Sequence, residues 1–143
     1  MPAAALRPPP VSNWRQRASA PSGLAGLWYD AALDGEGYNV IVTNGSTVFF
    51  FYGYDQSGER LWLISETLSN VPETGKTETL TVYAANGGTF DSPKPSAEAL
   101  SEWGELQVTF NTCTEATATL TGADGDKTSS LIKLAGITDS TCS

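Results

Sequence analysis

From Gly26 onward, apolar residues recur at every second position in short runs that Gly, Asn and Asp interrupt. Tyr38, Val40 and Val42 fall on one face of a run over 37–43. Ala116, Ala118 and Leu120 oppose Thr117, Thr119 and Thr121 over 115–121. A period of two marks a strand with one buried and one wetted face. Such runs predict strands near 26–30, 37–43, 46–54, 59–68, 76–84, 104–110, 115–121 and 128–134. Asn44-Gly45, Asp55 to Gly58 and Asp124-Gly125 supply tight turns, because Asn, Asp and Gly tolerate the positive φ that hairpins need. Ser96 to Trp103, with Ser96 as N-cap after Pro95, is the one helical candidate. The expected fold is all-β: an antiparallel up-and-down barrel or sandwich of about eight strands with one short helix. The barrel is favoured, because closure leaves no unpaired edge.

One hairpin departs from this alternation. Val48, Phe49, Phe50, Phe51 and Tyr52 are apolar in succession, and Leu61-Trp62-Leu63-Ile64 repeats the pattern on the next strand. A strand apolar on both faces is normally covered on both. Phe49 and Phe51 are therefore read as an exposed apolar hairpin that the short helix, the arm, the 85–103 loop or another subunit must cover.

Composition narrows the function classes. The chain has 143 residues and a net charge of −8. That length suits one domain body. No apolar run approaches the ~20 residues of a membrane-spanning helix, so no membrane insertion is expected. The acidic balance argues against nucleic acid, which needs clustered Lys and Arg. With no histidine, His-based triads, most zinc catalysis and the usual general base are excluded.

The charge is unevenly placed. Residues 1–22 hold five prolines and Arg7, Arg15 and Arg17, with no acid; residues 23–143 hold all sixteen acids and five bases. The two parts are a Pro-rich basic arm and a β-domain. A Pro-rich segment cannot build a core and favours extended geometry. It is a leader or linker, or else an arm that docks on an acidic body through Trp14, Arg15 and Arg17. Ala18-Ser19-Ala20 has the form of a signal-peptidase site, but the residues before it are polar. The segment as written is therefore not an export signal.

Cys113 and Cys142 are the only cysteines. They are placed to tie the last strand back to the sheet, and are read as a disulfide. That implies the periplasm, the cell surface or the outside; two unpaired cytosolic thiols are the alternative.

Several motifs stand in order: Gly26-Leu27-Trp28-Tyr29-Asp30, Asp34-Gly35-Glu36-Gly37-Tyr38, Phe51-Tyr52-Gly53-Tyr54-Asp55 with Gly58, and Leu61-Trp62-Leu63. Gly87-Gly88-Thr89-Phe90, Trp103-Gly104 and Phe110 to Cys113 follow, with Cys142 near the end. Over 24–142 the chain resembles a small bacterial secreted β-domain family, with Ala31 where that family has proline. The resemblance implies export and a β fold, and no established catalytic residues.

Chemistry-bearing clusters are sparse. Asp30, Asp34 and Glu36 are the only metal candidates, and they lack the calcium-loop frame. No G-x-S-x-G motif is present, and no cofactor is expected. Tyr and Trp combine an apolar body with a polar tip, which makes Trp28, Tyr29, Tyr54 and Trp62 the candidate binding residues. The leading reading is a non-catalytic exported β-domain acting in binding or self-assembly. Its partners would be other copies of itself or a surface component, engaged through the arm. An alternative is a monomeric barrel that binds a small molecule or glycan through aromatic residues. A carboxylate-based hydrolase ranks last.

Overall fold

The computed structural model describes residues 23–95, 99–136 and Cys142. The basic arm, with Trp14, Arg15 and Arg17, lies outside the described residues. Eight strands follow in order: β1 (Gly26–Tyr29), β2 (Gly37–Thr43), β3 (Ser46–Tyr54), β4 (Arg60–Ser65), β5 (Thr77–Ala85), β6 (Leu100–Phe110), β7 (Glu115–Gly122) and β8 (Gly125–Gly136). Each pairs antiparallel with the next, and β8 returns to β1, closing the barrel. An up-and-down order needs only hairpins, so every connection is local.

The Asn44-Gly45 turn sets the first register. Both residues take positive φ, 51° and 79°, and Thr43 faces Ser46 across it. Val40 is then opposite Phe49 and Tyr38 opposite Phe51. All four point inward and are buried. This corrects the expectation for Phe49 and Phe51, which are 2% and 4% exposed. Phe50 and Tyr52, half-buried, are the members that face out.

The expected helix over 96–103 is also corrected, over 100–103. Residues 96–98 lie outside the described residues, and Ala99 is helical, its N–H donating to the Pro95 carbonyl at 2.9 Å. From Leu100 the chain is strand, where β6 begins. The alternation there is hidden by a bulge: Gly104 faces Val82 while Glu102 faces Tyr83, which leaves Trp103 as the extra residue. An extra residue breaks period two and re-aims its side chain.

The barrel has two unlike ends. One carries both chain ends of the β-domain, the turn at 44–45 and the loop at 111–114. It is plugged by Leu24, Ala25 and Trp28, which stands edge-on to Phe110 at 5.1 Å. The Trp28 indole N–H donates to the Leu24 carbonyl at 2.9 Å. Lys133 Nζ donates to the Gly23 carbonyl and lies 5.9 Å from the Trp28 ring centre; burial lowers its pKa. At the same end, Cys113 and Cys142 are disulfide-bonded, with Cα atoms 5.8 Å apart. A structural disulfide persists in an oxidising setting, which places the chain outside the cytoplasm. The other end carries the connections 30–36, 55–59, 86–99 and 123–124, and among the described residues a cavity opens there.

Tyr38, next to this open end, is buried with a hydroxyl that has no hydrogen-bond partner among the described residues. Burial, and secondarily the Glu36 carboxylate, raise its pKa above the ordinary value of 10.0. A raised pKa favours folding below the unfolded pKa and loses that contribution as pH rises past about 10. Tyr38→Phe is expected to raise neutral-pH stability by about 1 kcal/mol by removing an unsatisfied hydroxyl. It should also flatten the loss of stability above pH about 10. Urea unfolding at pH 7 and pH 10.5 checks both; a clear destabilisation at pH 7 would show that the hydroxyl has a role.

Candidate ligand-binding site

The open end holds a cavity of about 340 Å³. Its floor is apolar: Phe51, Leu61, Leu120 and Trp103, all from inward-facing positions. Around the rim stand Glu36, Tyr54, Asp55, Gln56, Asp124, Asp126 and Lys127.

Local sequence builds each part. Trp103 reaches the mouth because it is the bulged residue of β6. Its ring lies on Gly122, where an added Cβ would sit 2.5 Å from a ring carbon. Its indole N–H donates to Asp124 Oδ2 at 2.7 Å. The other oxygen of Asp124 accepts from the Gln56 backbone N–H at 3.1 Å, and the Gln56 side chain donates to the Asp124 carbonyl. The 55–59 and 123–124 connections, 68 residues apart in the chain, are thereby tied across the mouth. Asp55 holds its own turn by accepting from the Ser57 hydroxyl and from the backbone N–H groups of Ser57 and Glu59. The Ser57 hydroxyl, followed by the backbone donors, lowers its pKa. Asp55 is thus a fixed anion.

Charge at the mouth is unbalanced. Glu36 and Lys127 form an ion pair at 2.7 Å, so the one rim lysine is matched. Asp55, Asp124 and Asp126 have no cationic partner among the described residues. The first two are engaged by hydrogen bonds, whereas Asp126 is exposed. Carboxylates above an apolar, low-dielectric floor focus a negative potential into the cavity.

The proposed binding residues separate. Trp28 is 0% exposed and belongs to the plug; it is not a surface residue. Tyr29 faces outward on β1, opposite Ile132. Tyr54 and Trp62 do come together. They line a small outer groove with Tyr52 and Arg60, and are 53% and 59% exposed. Tyr52 and Tyr54 also explain the Gly35-x-Gly37 motif. A Cβ at Gly37 would lie 2.7 Å from the Tyr52 hydroxyl, and one at Gly35 would lie 3.1 Å from that of Tyr54. The glycines make room for tyrosine rings crossing from the neighbouring strand, which is a packing role.

Asp30, Asp34 and Glu36 do not gather. Asp30 accepts from the Ala32 and Ser130 backbone N–H groups, and Glu36 is paired with Lys127. Among the described residues, no three His, Cys, Asp or Glu side chains converge as metal ligands. Sequence reasoning missed Trp103, Gln56, Asp124 and Asp126 as neighbours. The only local signals were Asp-Gly-Asp at a hairpin tip and a Trp-Gly pair. No protein-family model, curated protein or solved structure matches the chain.

Proposed function

We propose that the protein is an exported, non-catalytic binding module that takes a cationic ligand at the mouth of its barrel. The periplasm, the cell surface and the outside all suit its disulfide. The observation that carries the reading is one cavity with an apolar, tryptophan-bearing floor and a rim on which carboxylates outnumber cations. The volume is near the lower limit of small-ligand pockets, ~300–1,000 Å³, which suits one guanidinium or ammonium group on a short apolar body. The cation would meet the rim carboxylates, and its stem the floor. Trp103, held by Asp124, offers a ring face that attracts a cation.

Calorimetric titration of the full chain with Nα-acetyl-arginine amide tests this reading. Binding is expected to weaken about three- to tenfold in Asp126→Asn, as for loss of one partly screened charge. It should weaken again in 1 M salt, where the screening length falls to ~3 Å. Binding that is absent, or indifferent to both changes, would refute the reading.

A further inference from the structure

We infer that the occupant of the mouth is the Trp14-Arg15-Gln16-Arg17 segment of a second copy of this chain, so that copies join head to tail. The inference rests on the mouth taking a cation, and adds the identity of the partner.

Three observations carry it. The first is charge. The segment offers two guanidinium groups beside an indole, in an arm with no acid. The mouth offers an apolar floor beneath Asp55, Asp124 and Asp126, with its lysine already matched by Glu36. Arginine is well suited to this role, since its planar fork bonds carboxylates and stacks on aromatic faces.

The second is polarity. The arm joins the barrel at Gly23, whose carbonyl is held by Lys133 at the plugged end. The mouth is at the opposite end, where the 55–59 and 123–124 connections meet. The surface that gives and the surface that receives therefore sit at opposite poles of one barrel.

The third is reach. Arg17 lies six residues before Gly23 and Trp14 nine. Fully extended, these span at most ~22 Å and ~32 Å. The wall itself takes up most of that. The 12 residues of β8 rise ~30 Å along the axis at a tilt of 35–45°. By backbone alone Arg17 falls short of its own mouth, and Arg15 and Trp14 come only to its rim, so a contact within one copy would need the arm fully extended along the wall. The mouth of a copy stacked beneath the plugged end is within range of all three. Such a contact is heterologous, and it builds an open array unless its rotation closes a ring.

The test uses full-length protein and two variants, Arg15→Gln/Arg17→Gln and Asp126→Asn, in sedimentation velocity over a concentration series. The wild-type mass is expected to rise with concentration, and association is expected to weaken about three- to tenfold in Asp126→Asn and at least tenfold in Arg15→Gln/Arg17→Gln, which loses both guanidinium groups. Mixing the variants is decisive. The first keeps an intact mouth and the second an intact arm, so the mixture should associate more strongly than either variant alone and favour dimers over longer assemblies. The Trp28 indole N–H signal confirms that each variant is folded.

Wild type that stays one copy at every concentration would overturn the inference. So would association that neither variant weakens, or a monomer whose arginines occupy its own mouth. The mouth reading stands apart from these outcomes. Nα-acetyl-arginine amide should bind Arg15→Gln/Arg17→Gln at least as tightly as wild type, whatever the arm does.

Discussion

Trp28→Ala is expected to destabilise the protein by about 3–5 kcal/mol, the range for removing a large aromatic side chain from a core. The indole is 0% exposed and packs edge-on against Phe110, which in turn stacks on Phe49 at 6.2 Å. Its N–H bond to the Leu24 carbonyl also fixes the residues that close this end of the barrel. The truncation therefore removes a filler, an aromatic contact and a tether together. Trp28→Phe keeps most of the filler and should cost appreciably less, with the lost hydrogen bond contributing about 1 kcal/mol. Urea unfolding measures both as midpoint shifts at constant slope. A cost below about 1 kcal/mol for Trp28→Ala would mean that the ring is not a core element.

Serine at both Cys113 and Cys142 is expected to cost about 3–4 kcal/mol, from the chain-entropy term for a loop of ~30 residues. The bond ties the 111–114 connection to the segment beyond β8, with a sequence separation of 29. Without it, that segment loses its link to the plugged end, where Cys142 packs against the core. The mouth, at the opposite pole, should keep its ligand affinity at temperatures where the variant is folded. Thermal unfolding with and without reductant checks the stability term, and calorimetry checks the site. Equal stability of the oxidised and reduced forms would contradict this expectation.

The barrel was legible because its local rules agree with its global closure. Asn44-Gly45 gives the turn, and the alternations at 38–42 and 116–120 give the buried faces. Even the correction at Phe49 and Phe51 was within reach. A two-residue turn at 44–45 puts Thr43 opposite Ser46, and therefore Val40 opposite Phe49 and Tyr38 opposite Phe51. Residues directly opposite share a face, so both phenylalanines had to follow Tyr38 and Val40 inward. The run of five apolar residues concealed that parity.

The mouth was not legible, and the reason is distance along the chain. Gln56 and Asp124 meet only because the sheet closes. Trp103 aims inward only because β6 carries one more residue than its partner there. A bulge leaves no mark in composition, and Ser96 after Pro95 read as the N-cap of a helix that ran on to Trp103. Among the expected binding aromatics, Trp28 and Tyr29 could not be told apart by residue type. Their facing is set by register, with a shift between Leu27 and Trp28 against β8.

Two indole N–H groups make the mouth directly testable. That of Trp103 is bonded to Asp124 at the open end, and that of Trp28 to Leu24 at the plugged end. Heteronuclear NMR of the full-length Arg15→Gln/Arg17→Gln variant would follow both signals during titration with Nα-acetyl-arginine amide. A parallel titration would use its neutral isostere, Nα-acetyl-citrulline amide. The expected result is a saturable shift of the Trp103 signal with the arginine compound, little or none with the citrulline compound, and a stationary Trp28 signal. Equal shifts from both compounds, or a Trp103 signal that never moves, would contradict a cation-binding mouth.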